Sequence, residues 1–335
     1  MYRLSFVFLL VILVSCGTSK KETTSANLQP FILMDRAAAA QAIVTDTTDG
    51  FFDRVNLVEM EIQMKKNFAP GTTREQAVAE YRAFLQTEVL DFTEAEKVKV
   101  TAVMEEAKRR CDLLAPGIFP MGVALIKTRI NHYGPSVYYT RENGIYIPEN
   151  ELAEFQEEAF LSVMLHEIFH VYSRFHPAKR QKLYSLVGFE PLEKVEIDPN
   201  WADVLLFNPD GVSYNWGVTL NIDGVPTLAV PLIYANEASY VQSKNTFFAY
   251  LEFSLHLATK QNDGSYLVGK PLGPNSIPAL FEKITSNTQY IIHPDEIMAD
   301  NFMFLTYPWE EGQAPQFDEA GQKLQQMTKA VLTEQ

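Results

Sequence analysis

His166-Glu167-Ile168-Phe169-His170 is the stretch around which the rest of this chain has to be arranged. It lies inside a segment of helical apolar period, from about Leu152 to Phe175, which Pro177 ends because proline cannot continue the hydrogen-bond ladder. Phe160, Met164, Ile168 and Val171 recur on one helix face, so they form an anchoring stripe and leave the histidines toward a cleft. Residues four apart stand one above the other on a helix. His166 and His170 can therefore aim two imidazole nitrogens at one zinc ion, at about 2.0–2.1 Å each. Glu167 is rotated about 100° from His166, which carries it past the ion and toward a metal-bound water. That is the place of a general base. Zinc brings the pKa of the water toward about 7, Glu167 takes the proton as the water attacks a carbonyl, and the same carboxyl protonates the leaving nitrogen.

Two residues compete as third ligand. His176 stands six places after His170, and the run from His166 to His176 resembles the metzincin peptidases in its ligand spacing. That family's pattern needs a glycine where this chain has Ser173, so that the helix ends sharply and the third histidine swings back; serine is poor at positive φ. Arg174 and Phe175 instead continue the helix and point His176 away, and Met298 lies in a helical pattern rather than a Met-turn. The rival is Glu296, in Asp295-Glu296-Ile297-Met298-Ala299-Asp300. This stretch resembles the gluzincin arrangement, in which a glutamate on a second helix completes the site and an aspartate one turn later takes the hydrogen bond of a ligand histidine. The resemblance implies Glu296 as third ligand and Asp300 as the partner of His166. Glu296 and Asp300 are four apart and share a helix face, as the two roles require. The resemblance covers these two short motifs. About 120 residues separate them, so a strand-rich insertion has to loop out and return. Glu296 is the preferred ligand and His176 the alternative.

A peptidase site also wants a donor for the oxyanion, and His293 and Tyr290, just before the second motif, are the candidates. His132 and His256 have no partner at ligand spacing and read as structural. Upstream, Val137–Thr140 and Ile145–Ile147 flank Asn143-Gly144 and predict a β-hairpin whose edge could pair with an extended peptide. Helical spacing covers Asp53–Phe68. Thr72 with Glu75, and Thr93 with Glu96, predict capping boxes for helices to about Val89 and about Leu114. Beyond the active helix, a second helical piece covers Lys179–Val187. Strand-like runs follow at Val212–Leu220, Thr227–Tyr234 and Thr246–His256, then helices at Ile277–Thr285, from Pro294, and at Asp318–Thr333.

Met1-Tyr2-Arg3, the short apolar run Phe6–Val14 and Ser15 have the layout of a secretory signal, too short to span a bilayer comfortably. Leu13-Val14-Ser15-Cys16 resembles a bacterial lipoprotein box, which implies acylation of Cys16 and anchoring to a membrane, with a polar tether from residue 16 to 30. Losing the single charge of Arg3 takes the formal net charge from -14 to -15, so nucleic acid is excluded as a partner on electrostatic grounds. Cys111 would be the one thiol left, with no disulfide to form, and stability has to come from a core supplied by a composition that is 47% apolar.

The expected architecture is α+β and zincin-like: a helical N-terminal region at residues 31–120, then a catalytic region at 121–335. In the latter a mixed sheet packs on the active helix, with the insertion at about 190–270. The expected function is zinc-dependent hydrolysis of peptide bonds in a peptide or protein substrate, outside the cytoplasm. The competing expectation is a catalytically silent surface-binding lipoprotein on the same scaffold, against which the intact Glu167 argues. Endopeptidase, exopeptidase and amidase action all remain open.

Overall fold

The structure is a computed structural model describing residues 29–334. The expected signal at 1–15, the acylated Cys16 and nearly all of the tether lie outside the described residues. The chain begins with β1 (Phe31–Leu33), then α1 (Arg36–Ala42), α2 (Phe51–Arg54), α3 (Leu57–Met64), α4 (Arg74–Thr87), β2 (Val89–Leu90) and α5 (Glu94–Leu114). Thr93 and Glu96 cap α5 reciprocally, as their spacing predicts. The box on α4 sits one residue later than expected, on Thr73 and Gln76, because the Thr72 hydroxyl turns back to Ala69 O at 2.8 Å and closes the preceding turn. The helical spacing over Asp53–Phe68 resolves into two short helices, broken at Val55 and Asn56, where Asn56 caps the second.

Next come β3 (Val123–Thr128), β4 (Tyr139–Arg141) and β5 (Gly144–Pro148). They build a mixed sheet in the order β1-β3-β5-β4, with β2 paired to β3. The N-terminal region is therefore not purely helical: β1 lies parallel to β3 and β2 runs antiparallel to it. The hairpin forms, but its turn is shifted. Arg141 pairs with Gly144, so Glu142 and Asn143 make the turn, and the left-handed residue is Glu142 at φ 51°. Its carboxylate accepts from Thr48 N at 2.8 Å and Thr48 Oγ1 at 2.7 Å, contacts that hold a conformation glycine would otherwise supply. Gly144 is needed for closeness instead, since a Cβ there would lie 3.2 Å from both Arg141 O and the Tyr146 ring.

Three helices follow: α6 (Glu149–Ala153), α7 (Glu157–Phe175) and α8 (Pro177–Leu186). The helix expected from Leu152 thus starts five residues late, after a separate short helix that ends at Ala153. Residues 189–271 then form a second sheet from β6 (Phe189–Pro191), β7 (Val195–Ile197), β8 (Trp216–Ile222), β9 (Val225–Ala235), β10 (Leu251–Lys260) and β11 (Tyr266–Pro271). The short α9 (Pro199–Ala202) precedes β8, and the strand order is β6-β8-β9-β10-β11-β7. The chain closes with α10 (Ser276–Ile284), α11 (Pro294–Thr306) and α12 (Glu319–Thr333). Helices and two mixed sheets make the class α+β.

Two apolar cores hold these parts. In one, Met164, Leu165, Ile168 and Phe169 of α7 meet Leu125 and Ile145 of the first sheet, Met104 of α5, and Ile297 and Phe302 of α11. In the other, Phe51, Phe52 and Tyr81 of the N-terminal helices pack with Leu232 and Ile233 of the second sheet. Each fully buried side chain of this size is worth about 1.5–3 kcal/mol. Because α7 is gripped by a sheet and two helices, its polar face is held still against α11.

Candidate metal centre

The face of α7 that the apolar stripe leaves free carries His166 and His170, and α11 lays Glu296 across both. His166 Nε2 is 3.1 Å and His170 Nε2 3.4 Å from Glu296 Oε2. Each ring is steered from its other nitrogen: His166 Nδ1 donates to Asp300 Oδ1 at 2.9 Å, and His170 Nδ1 to Asp295 Oδ2 at 2.6 Å. An imidazole that gives its Nδ1 proton to a carboxylate has a lone pair on Nε2. Two such lone pairs and a carboxylate oxygen converge, with ligand atoms of all three residues within 4.8 Å of one another. With both Nε2 atoms unprotonated, such a donor set fits a cation; His166, His170 and Glu296 are the residues that would hold a metal ion.

The electrostatics point the same way. Burial disfavours charge on His166, but the bonds from Asp300 and Glu296 win and push its pKa up to about 10. Burial likewise opposes protonation of His170, yet the charges of Glu296 and Asp210 lift its pKa well above the ordinary value. Burial would raise Glu296, while His170 and His166 hold its carboxylate well below its usual range. The place demands positive charge, which either protons or a divalent ion can supply.

Glu296 is fixed from behind as well, since Asn208 Nδ2 donates to its Oε1 at 2.6 Å. Asp295 is held by Ser173 Oγ at 2.7 Å and by the Tyr184 hydroxyl, and Asp300 by the Thr288 hydroxyl. Ser173 occupies the position where the metzincin pattern has glycine, and here it is buried and anchors Asp295. His176 ends α7 and turns away: its Nδ1 bonds Tyr172 O at 2.8 Å and its ring stacks on Tyr172.

Glu167 is buried beside the cluster, with its Oε2 lacking any hydrogen-bond partner among the described residues. Burial first, and the neighbouring charge of Asp210 second, raise its pKa to about 8. An unsatisfied buried carboxyl oxygen is costly, and one kept in a native fold calls for a catalytic role or a bound water or ion. It opens on a cleft of about 270 Å³, lined also by His166, Asp300, Tyr138, Phe248 and Tyr290.

The two expected oxyanion donors separate. His293 is the N-cap of α11, its Nδ1 accepting from Asp295 N at 3.1 Å and its Nε2 facing Ser213 O at 3.4 Å. Both ring nitrogens are engaged, the ring fills the space against Gly211, and His293 is not among the residues that line the cleft. Tyr290 does line the cleft, its ring 6.1 Å from that of His166 and nearly parallel to it. His132 bonds Tyr139, and His256 bonds Gly269 O.

No family model, no curated protein and no solved structure matches this chain. The site therefore has to be read from its own geometry. Asp295, Asn208 and Asp210 are its functional neighbours that the sequence reading passed over. Asp295 sat inside the quoted motif, but an acid in a first helical turn reads as a dipole partner. Asn208-Pro209-Asp210-Gly211 reads as a turn, and only the fold brings it to α7 and α11.

Proposed function

We propose that this protein is a zinc-dependent metallopeptidase of zincin-like, gluzincin-type arrangement. His166, His170 and Glu296 are its metal ligands and Glu167 its general base. Zinc bound there supplies Lewis-acid polarisation of a carbonyl and of a water. Glu167 takes a proton from water as the oxygen–carbon bond forms at the amide, and returns it to the nitrogen as the carbon–nitrogen bond breaks. Asp295 and Asp300 keep the two imidazoles in the tautomer whose Nε2 is unprotonated. Tyr290 donates to the oxygen on which charge develops. Anchoring through Cys16, which the Leu13–Cys16 motif supports, would set this activity outside the cytoplasm.

The observation that carries the proposal is the convergence of the two Nε2 atoms on Glu296 Oε2, beside a buried carboxylate with an unpartnered oxygen. A closed structural site has no use for such a base. The test is cleavage of casein by the zinc-loaded protein, with and without a chelator. Chelator-sensitive cleavage that Glu167→Gln abolishes is the expected result; a folded, zinc-loaded protein inert toward casein and a broad peptide library would set the proposal aside.

A further inference from the structure

Leu125 and Ile145 face α7, so their chain neighbours Ala124, Ile126, Gly144 and Tyr146 point to the opposite side of the first sheet. On that side Arg141, Gly144 and Ala124 lie next to one another across β4, β5 and β3. Two residues of this row have almost no side chain, and the helix above it, α1, is Arg36-Ala37-Ala38-Ala39-Ala40-Gln41-Ala42. Small residues above and below leave a cavity of about 360 Å³, walled by Ala38, Ala42, Ala124, Ile126, Tyr146 and Arg141. That is room for a small molecule.

Arg141 is the one cation on this wall, it is only 3% exposed, and it makes no ion pair among the described residues. Its guanidinium stacks on the rings of Phe51 and Phe52, 4.3 and 4.8 Å from their centroids. Nη1 donates at 2.6 Å to Ile43 O, a carbonyl between Ala42 and Thr45, which both line the cavity. Nε is buried without a partner, and Nη2 makes no hydrogen bond among the described residues. Stacking and one carbonyl therefore leave open the Nε–Nη2 edge, on which a guanidinium takes both oxygens of a carboxylate. A buried cation without a counter-charge is costly, and an anion in the cavity offsets that cost.

We propose that this cavity binds a small monocarboxylate with an apolar tail, the carboxylate on the Nε–Nη2 edge of Arg141 and the tail over Ala124, Ile126 and Tyr146 beneath α1. The other polar groups of the wall argue against a more highly charged ligand. Thr45 Oγ1 donates to Gln41 O and Asn143 Nδ2 to Gly122 O, so neither is free for an anion. The Glu142 carboxylate, held by Thr47 and Thr48, adds a negative charge to the same wall. A phosphate would meet that charge with a single cation to hold it. The site lies across the sheet from α7 and does not rest on the peptidase reading.

Calorimetry with hexanoate, hexanamide and inorganic phosphate is the test. Each is titrated into the purified protein, into Arg141→Gln, and into Ala38→Trp, which sets an indole on the cavity wall from an exposed position of α1. Hexanoate is expected to bind at least about tenfold tighter than hexanamide or phosphate. Arg141→Gln should remove that preference, and Ala38→Trp should weaken hexanoate by at least about tenfold. Hexanamide or phosphate bound as tightly as hexanoate overturns the inference, and so does the absence of hexanoate binding. Should Arg141→Gln fail to fold, Ala38→Trp decides alone: undiminished binding of hexanoate there puts the carboxylate at another place, the metal centre included, and sinks the site.

Discussion

His170 gives its Nδ1 proton to Asp295 Oδ2 at 2.6 Å, although Asp295 is the direct chain neighbour of Glu296, which faces the Nε2 of the same ring. Consecutive residues on α11 thus grip both sides of one imidazole. Asp295→Asn leaves the helix cap intact but weakens this hold. Zinc affinity is expected to fall about 10- to 100-fold, as for other losses of a ligand's supporting carboxylate. Competition with a chromogenic chelator measures it, and unchanged affinity would make Asp295 a packing residue.

Glu167 makes no hydrogen bond to any of the three proposed ligands. Glu167→Gln should keep its zinc and lose about 10²- to 10⁴-fold in turnover. Metal analysis and a peptidase assay on one preparation decide it, and retained turnover removes Glu167 from the mechanism.

Much of this centre was legible in the sequence, because a helix converts spacing into geometry. His166 and His170 at four apart, and Glu296 and Asp300 at four apart, fall on single faces whatever else the chain does. The stripe of Phe160, Met164, Ile168 and Val171 is buried as expected. What the spacing does not carry is contact between elements. Asp210 reaches α7 only through a turn between strands, and β1 pairs with β3, a strand some ninety residues on. His293 shows a related limit: a histidine before a proline-initiated helix can cap it or face the cleft, and here it caps α11 and packs against Gly211.

Arg174, one turn beyond His170, is buried and holds three segments together. Its Nε pairs with Asp49 at 2.5 Å, and its guanidinium donates to Glu142 O at 2.9 Å and Thr140 Oγ1 at 3.0 Å. Arg174→Ala should cost about 3 kcal/mol, the low end for breaking a buried pair, since the partly buried Asp49 carboxylate and Glu142 O lose their donor. Arg174→Lys should recover little, because an ammonium cannot reproduce the planar fork. Urea denaturation at constant metal concentration gives the numbers, and a loss under 1 kcal/mol, the level of about one ordinary surface change, would contradict the buried network.

Glu59 offers a test away from the metal. It is fully buried, and desolvation lifts its pKa to about 8 against the bonds from Phe207 N and Gln63 that lower it. Its folded value exceeds the ordinary 4.5, so the folded state holds the extra proton between those limits. The stability this proton provides is full below about pH 4.5, declines as pH rises, and is gone once the pH has passed about 8. Glu59→Gln should remove up to about 1.4 kcal/mol per pH unit from the slope in that window. Denaturation midpoints between pH 5 and 8 read it, and an identical slope in the variant assigns the pH dependence elsewhere.

The most direct measurement is the zinc content of the purified protein beside Glu296→Ala and His176→Ala. One zinc per chain in the first and last, with loss in Glu296→Ala, is predicted. Full zinc in Glu296→Ala, or its loss in His176→Ala, would contradict a centre formed by His166, His170 and Glu296.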